Sequence, residues 1–174
     1  LAVAGEALPR AQVLIYPAVD ARMQSRSMAA LKDAYVLPRD RIDWYLGQYL
    51  PEGQDRLDPR VSPLTSPHLA GQPPALILNA GHDPLFDDGT MYHGALGAAG
   101  VASVLHPFPG QVHAFVSARR AIPQAVEAVS LIAGQALGQA LRGWRGRGPS
   151  PPASPAYFWQ NERRGVLGGP QAGA

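Results

Sequence analysis

Two side chains suited to moving a proton, Asp83 and His113, stand 30 residues apart. Each follows an apolar run: Ala75 to Leu78 ends in the turn that carries Asp83, and Val101 to Leu105 precedes the turn that carries His113. A carboxylate bonded to one ring nitrogen of an imidazole fixes its tautomer and stabilises its cation. The other ring nitrogen then takes a proton from a nucleophile. An acid and a histidine on neighbouring strand-end loops are thus two parts of a hydrolytic triad. The third part, a nucleophile, has no obvious candidate in the chain.

Plainer readings compete. Asp83 precedes Pro84, and Asp-Pro favours turn initiation, while a loop histidine such as His113 is often satisfied by backbone. The surrounding residues favour the paired reading. Asp87 and Asp88 are expected to be helix N-caps and partners of the helix dipole rather than catalysts. His82, Asp83, Asp87 and Asp88 match no known metal-ligand spacing, so neither a metal nor a cofactor is expected. Ser62 and Ser66 lie in a loop near the pair, but neither has glycine neighbours at the spacing of a strained nucleophile turn. His68, His93 and His106 read as surface or edge residues. Trp44, Tyr45 and Tyr49 read as packing within an excursion rather than as a ligand cage.

The elements that must position the pair follow from periodicity. Gln12 to Tyr16, Ala75 to Asn79 and Val101 to His106 are short apolar runs of the kind that form buried parallel strands. A helix is expected from Asp87 or Asp88 to about Ala99, with Gly100 as terminator. Another is expected over Ile122 to Leu141, with Val126, Val129, Ile132 and Ala133 facing inward. Arg22 to Leu57 is more polar, with helix-like pieces at Ser27 to Ala34 and Arg39 to Leu50. In the second piece Ile42, Tyr45, Leu46, Tyr49 and Leu50 are spaced for one face. Leu1 to Leu8 has a helical look and is stopped by Pro9. Alternating strands and helices predict an α/β fold with a parallel sheet. Ligands in such sheets bind outside the carboxyl ends of the strands, where Asp83 and His113 fall. Thirty residues also leave room for one crossover between adjacent strands.

Composition narrows the class. The 174 residues are 46% hydrophobic, which suits a globular domain or a piece of one. A net charge of +2 with scattered arginines offers no basic stripe for nucleic acid. No apolar run is long enough to span a bilayer. The absence of cysteine excludes disulfides and thiolate metal sites without deciding the compartment, and a cytoplasmic location is expected. Nothing constrains the oligomeric state. From Gly143 onward the chain is rich in Gly, Pro and Ser and is expected to be disordered. It contains two overlapping P-x-x-P spacings between Pro149 and Pro155, read as low-complexity tail. The expected division is therefore a folded part over residues 1–142, with the excursion at about 22–57, and a tail over 143–174.

Four pieces carry a resemblance: LIYPAVD at Leu14 to Asp20, SPL at Ser62 to Leu64, AGHDPLFDDG at Ala80 to Gly89, and HAF at His113 to Phe115. Over roughly Gln12 to Leu141 the chain resembles the C-terminal half of the α/β-hydrolase fold-3 group, the hormone-sensitive-lipase-like esterases. The resemblance implies an incomplete α/β-hydrolase fold: parallel strands, crossover helices and a disordered C-terminal tail. It implies a carboxylic-ester hydrolase working through an acyl-enzyme on a small-molecule ester, with Asp83 as triad acid and His113 as general base. The acid preceding the histidine is the chain order of that fold. Residues 22–57 would belong to a cap over the acyl pocket. Ala114 stands where the family usually has glycine. The family's G-x-S-x-G elbow and His-Gly-Gly oxyanion loop are not in the chain. It is therefore expected to be a fragment whose upstream half is missing and to be inactive alone. The alternative is a non-catalytic remnant that acts as a binding or interaction module.

Overall fold

A computed structural model describes residues 7–141. The helix expected at the start of the chain and the tail from Gly143 lie largely or wholly outside these residues. Three strands, β1 (Gln12–Ile15), β2 (Ala75–His82) and β3 (Ser103–Val112), form one parallel sheet in the order β1-β2-β3. Between β1 and β2 lie α1 (Arg26–Ala30) and α2 (Arg39–Tyr49). α3 (Phe86–Ala98) crosses from β2 to β3, and α4 (Pro123–Leu141) follows β3. The α/β class with parallel strands and crossover helices is the one the alternating pattern predicts.

β2 is the middle strand and is buried along its length up to Ala80 and Gly81. Its pleat sends successive side chains to opposite faces. Leu76, Leu78 and Ala80 pack with Phe108, Phe115, Ala125 and Ala128 on the α4 face. Ala75 and Ile77 pack with Tyr92, Leu96 and Val101 on the α3 face. A strand covered on both sides must be apolar on both sides, which is why its first residues, ALIL, show no alternation. Gly100, at φ 76°, ends α3 in the left-handed conformation that glycine adopts without steric cost.

Two helix faces differ from expectation. On α4, Val126 is 54% exposed and Ala133 is exposed, whereas Ala125 and Ala128 are fully buried beside Ile122, Leu131 and Ile132. The inward face is set by small residues because the sheet surface there is already filled by Phe108 and Phe115. On α2, Ile42, Leu46 and Leu50 point inward at four-residue spacing, while Tyr45 and Tyr49 lie outside at 52% and 71% exposure. Trp44, 60% exposed, stacks edge-on against Tyr45. These rings therefore do not pack the excursion's interior. A small core of Met23, Met28, Leu37 and Ile42 does that, and it docks on Leu85 beside Asp83.

β2 and β3 both run further than their apolar stretches. β3 continues through Pro107 and Pro109 to Val112. Among the described residues it lies at the sheet edge, where a strand tolerates a missing N–H. The β2–β3 register is broken between Ala80 and His82: Ala80 pairs with Phe108 but His82 with Val112. Gly81 sits at the break, and a Cβ there would collide with the Pro109 backbone. Without a side chain at position 81, β3 can bulge and still rejoin β2 at Val112.

Candidate active site

The register past the bulge fixes the site. Because His82 pairs with Val112, the next residue of each strand, Asp83 and His113, leaves the sheet at the same height on adjacent strands. Asp83 Oδ2 and His113 Nδ1 lie 2.7 Å apart. A carboxylate oxygen only accepts, so the proton of this bond is assigned to Nδ1; in the neutral imidazole Nε2 then carries the lone pair. The Asp83 side chain is fully buried and that of His113 is 22% exposed. Asp83 Oδ1 accepts from the Leu85 N–H at 2.9 Å, and its carbonyl accepts from the Phe86 N–H. Three bonds thus fix the carboxyl group and its backbone at the entrance to α3. Directly after His113, Ala114 adopts the left-handed conformation, φ 65° and ψ 9°. This sharp turn sends the chain back into a short 3₁₀ turn, Phe115–Ala118, whose Phe115 is buried in the core.

Asp87 and Asp88 do not cap α3, whose N-cap is Leu85 with no side-chain cap bond. Both are buried, and both reach across to the chain after β1. Asp87 Oδ2 accepts from the Ser27 N–H at 2.7 Å. Ser27 Oγ donates to the Pro84 carbonyl at 2.7 Å and accepts from the Asp87 N–H at 3.0 Å. Asp88 Oδ2 accepts from the N–H groups of Val19 and Asp20 at 2.9 and 3.2 Å. The reason is geometric: Leu85 already occupies the cap position, so the first-turn carboxylates are free to receive another segment's donors. The pair therefore pins the loop at Val19 and the first turn of α1 at Ser27 to the helix that starts beside Asp83. Burial pushes the carboxyl of Asp88 up to about 6. The charges of Asp20 and Asp87 add to that rise, and the two N–H donors oppose it. The carboxyl of Asp20 is instead held below its usual value by the Arg22 guanidinium that it pairs with at 2.6 Å.

The other flagged residues have local roles. Ser62 is fully buried; its Oγ donates to the Arg56 carbonyl and accepts from the Ala21 N–H. Ser66 Oγ accepts from the His68 N–H in a turn. Neither hydroxyl is presented as a nucleophile. His82 is exposed while Asp83, Asp87 and Asp88 serve separate partners, and among the described residues no three His, Asp or Glu side chains gather as a metal site. His68 is exposed and His106, half-buried, stacks on Phe108 at 4.8 Å. His93 is half-buried, with Nδ1 2.7 Å from Ser103 Oγ, and burial lowers its pKa. Sequence reasoning missed Ser27 and Tyr16. Nothing local marks Ser27. Tyr16 was visible as the aromatic that closes the strand before Pro17, and its ring lies 4.7 Å from that of His113.

A buried carboxylate holding an imidazole at the carboxyl ends of adjacent parallel strands belongs to the α/β class of hydrolytic folds. A family model described as alpha/beta hydrolase fold matches residues 1–117, and the chain belongs to this family. It is 39% identical to an ethyl acetate hydrolase of Pseudomonas putida over 135 residues, 78% of this chain and 42% of that protein. It is 42% identical to the carboxylic ester hydrolase LipN of Mycobacterium tuberculosis, covering 65% of this chain and 30% of that protein. Among solved structures it is similar to an esterase from Pyrobaculum calidifontis (TM-score 0.73, 34% identity, 81% of this chain and 47% of that one). An ester hydrolase from the metagenome of Lake Arreo, in complex with a derivative of bipyridine phosphonate, gives TM-score 0.73 at 38% identity, over 79% of this chain and 44% of that one. These relatives are carboxylic ester hydrolases, and the chain spans less than half the length of each. Among the described residues no helix is long and apolar enough to cross a membrane.

Proposed function

We propose that this chain supplies the acid and the general base of a serine-type carboxylic-ester hydrolase. The 2.7 Å bond from His113 Nδ1 to buried Asp83 carries the proposal. Asp83 orients the ring and stabilises the imidazolium. His113 Nε2 takes the proton of a serine hydroxyl as that oxygen attacks the ester carbonyl, then returns it to the leaving alkoxide. The acyl-enzyme is opened by water in the same way, with His113 again as base. The nucleophile is proposed to come from outside these 174 residues, because no G-x-S-x-G stands among them. The chain alone is accordingly expected not to turn over esters.

A graft tests this reading. Residues matching this chain in the Pseudomonas putida ethyl acetate hydrolase are replaced by it, and short-chain p-nitrophenyl esters are assayed. The chimera is expected to be active. Asp83→Asn is expected to lower kcat by about four powers of ten, because the amide favours the wrong imidazole tautomer, and His113→Ala is expected to abolish turnover. A folded chimera with no activity favours the second reading, a non-catalytic hydrolase-like module, which the missing elbow supports. Activity that survives His113→Ala would remove that histidine from the mechanism.

A further inference from the structure

Tyr16 is the residue after β1, on the far side of β2 from His113. Its N–H donates to the Leu78 carbonyl at 2.7 Å, so its backbone is still tied to the middle strand. Yet its φ is 39°, in the region L-residues avoid, and it precedes Pro17, where an extended conformation is the norm. A bulky aromatic persists there only when its surroundings over-determine it. The surroundings are rings. Tyr16 meets His113 at 4.7 Å and 53°, and Phe115 at 5.9 Å and 62°. Phe115 in turn packs on Phe108 at 4.9 Å. The phenol lies near enough to Asp83 for that charge to raise its pKa, behind the larger effect of burial and against the lowering effect of the Val116 N–H. The strained backbone turns the side chain across the end of β2 towards the Asp83–His113 pair.

We propose that Tyr16 is a positioning residue whose ring holds the His113 imidazole in the orientation that keeps Nδ1 on Asp83 and Nε2 available. The inference rests on the paired roles given to Asp83 and His113 above. The hydrogen bond to Asp83 constrains one ring atom but leaves the imidazole free to swing about that contact. The Tyr16 ring, tilted at 53° with its centroid 4.7 Å from that of the imidazole, blocks that swing on one side. The contact is ring to ring and needs no hydroxyl, so phenylalanine serves as well as tyrosine.

The test is nuclear magnetic resonance of the chain with ¹⁵N-labelled histidine. Five histidines are present, and His113→Gln assigns the signal of interest. In the wild type, His113 is expected to show a single Nδ1–H tautomer with a strongly downfield proton, and nuclear Overhauser contacts from its ring to Tyr16. Tyr16→Phe is expected to keep that signal. Tyr16→Leu is expected to lose or broaden it, while His93 beside Ser103 keeps its own ring-nitrogen shifts. A Tyr16→Leu protein that folds and retains an unchanged His113 signal overturns the proposal. So does loss of the signal in Tyr16→Phe. If Tyr16→Leu fails to fold, the wild-type ring-to-ring contacts decide: their presence, with the signal kept in Tyr16→Phe, supports the assignment, and their absence ends it. A wild type without the downfield Nδ1–H overturns the Asp83–His113 reading itself, an outcome distinct from indifference to Tyr16.

Discussion

Replacing Asp88 with asparagine tests how the buried carboxylates beside the site are held. Asp88 is 1% exposed; Oδ2 receives two backbone N–H groups, and Oδ1 is buried without a hydrogen-bond partner. Burial first, then the charges of Asp20 and Asp87, lift its pKa from 3.8 to about 6. A carboxyl whose folded pKa is raised binds its proton more tightly when folded. Its contribution is therefore complete at low pH and is lost as pH rises towards and through about 6. The difference of about two pH units, at about 1.4 kcal/mol each, makes ionised Asp88 cost the fold about 3 kcal/mol at neutral pH. The asparagine side chain would keep an oxygen for the Val19 and Asp20 donors but cannot ionise. Urea unfolding followed by circular dichroism should show wild-type stability falling between about pH 4 and pH 7.5, with Asp88→Asn removing roughly 2–3 kcal/mol of that fall. If both proteins show the same slope with pH, the carboxylate is ionised at no cost and the reasoning fails.

Two further substitutions probe the backbone around the site. Ala114→Gly relieves a left-handed residue next to His113 and should stabilise the chain by about 1 kcal/mol, the difference between αL strain and glycine entropy; an unchanged or lower Tm would contradict the strain. Gly89→Ala puts a Cβ into the carboxamide of Asn79, which is fully buried and bonded to the Phe86 carbonyl and to Thr90. It should cost about 2 kcal/mol. Gly94→Ala on the same helix, where nothing lies within 4 Å, should instead gain up to about 1 kcal/mol, so equal effects on thermal unfolding would refute the packing argument.

Much of the fold was legible because apolar runs and breakers act locally. The three strands stood out as apolar segments closed by turn residues, and Gly100 marked the end of α3 because a left-handed terminus favours glycine. Helix faces were read less well. Val126 and Tyr45 are apolar at helical spacing, but which side of a helix is buried depends on the volume of the surface it meets. Phe108 and Phe115 leave room on the α4 side for the alanines at 125 and 128 rather than for valine. Asp87 and Asp88 looked like caps because a cap is the local option for a first-turn acid. Their donors come instead from Ser27, Val19 and Asp20, roughly sixty to seventy residues earlier in the chain.

The order of elements, the two apolar strand ends and the identities of Asp83 and His113 are properties of the chain read in one dimension, since each depends on neighbours within a few positions. That the carboxylate meets the imidazole at 2.7 Å depends on a bulge that makes His82 and Val112 partners. That a tyrosine from the opposite strand lies against the same ring depends on a backbone twist at Tyr16. Both are settled only when three strands lie side by side, because height above a sheet is a relation between strands and no single segment contains it.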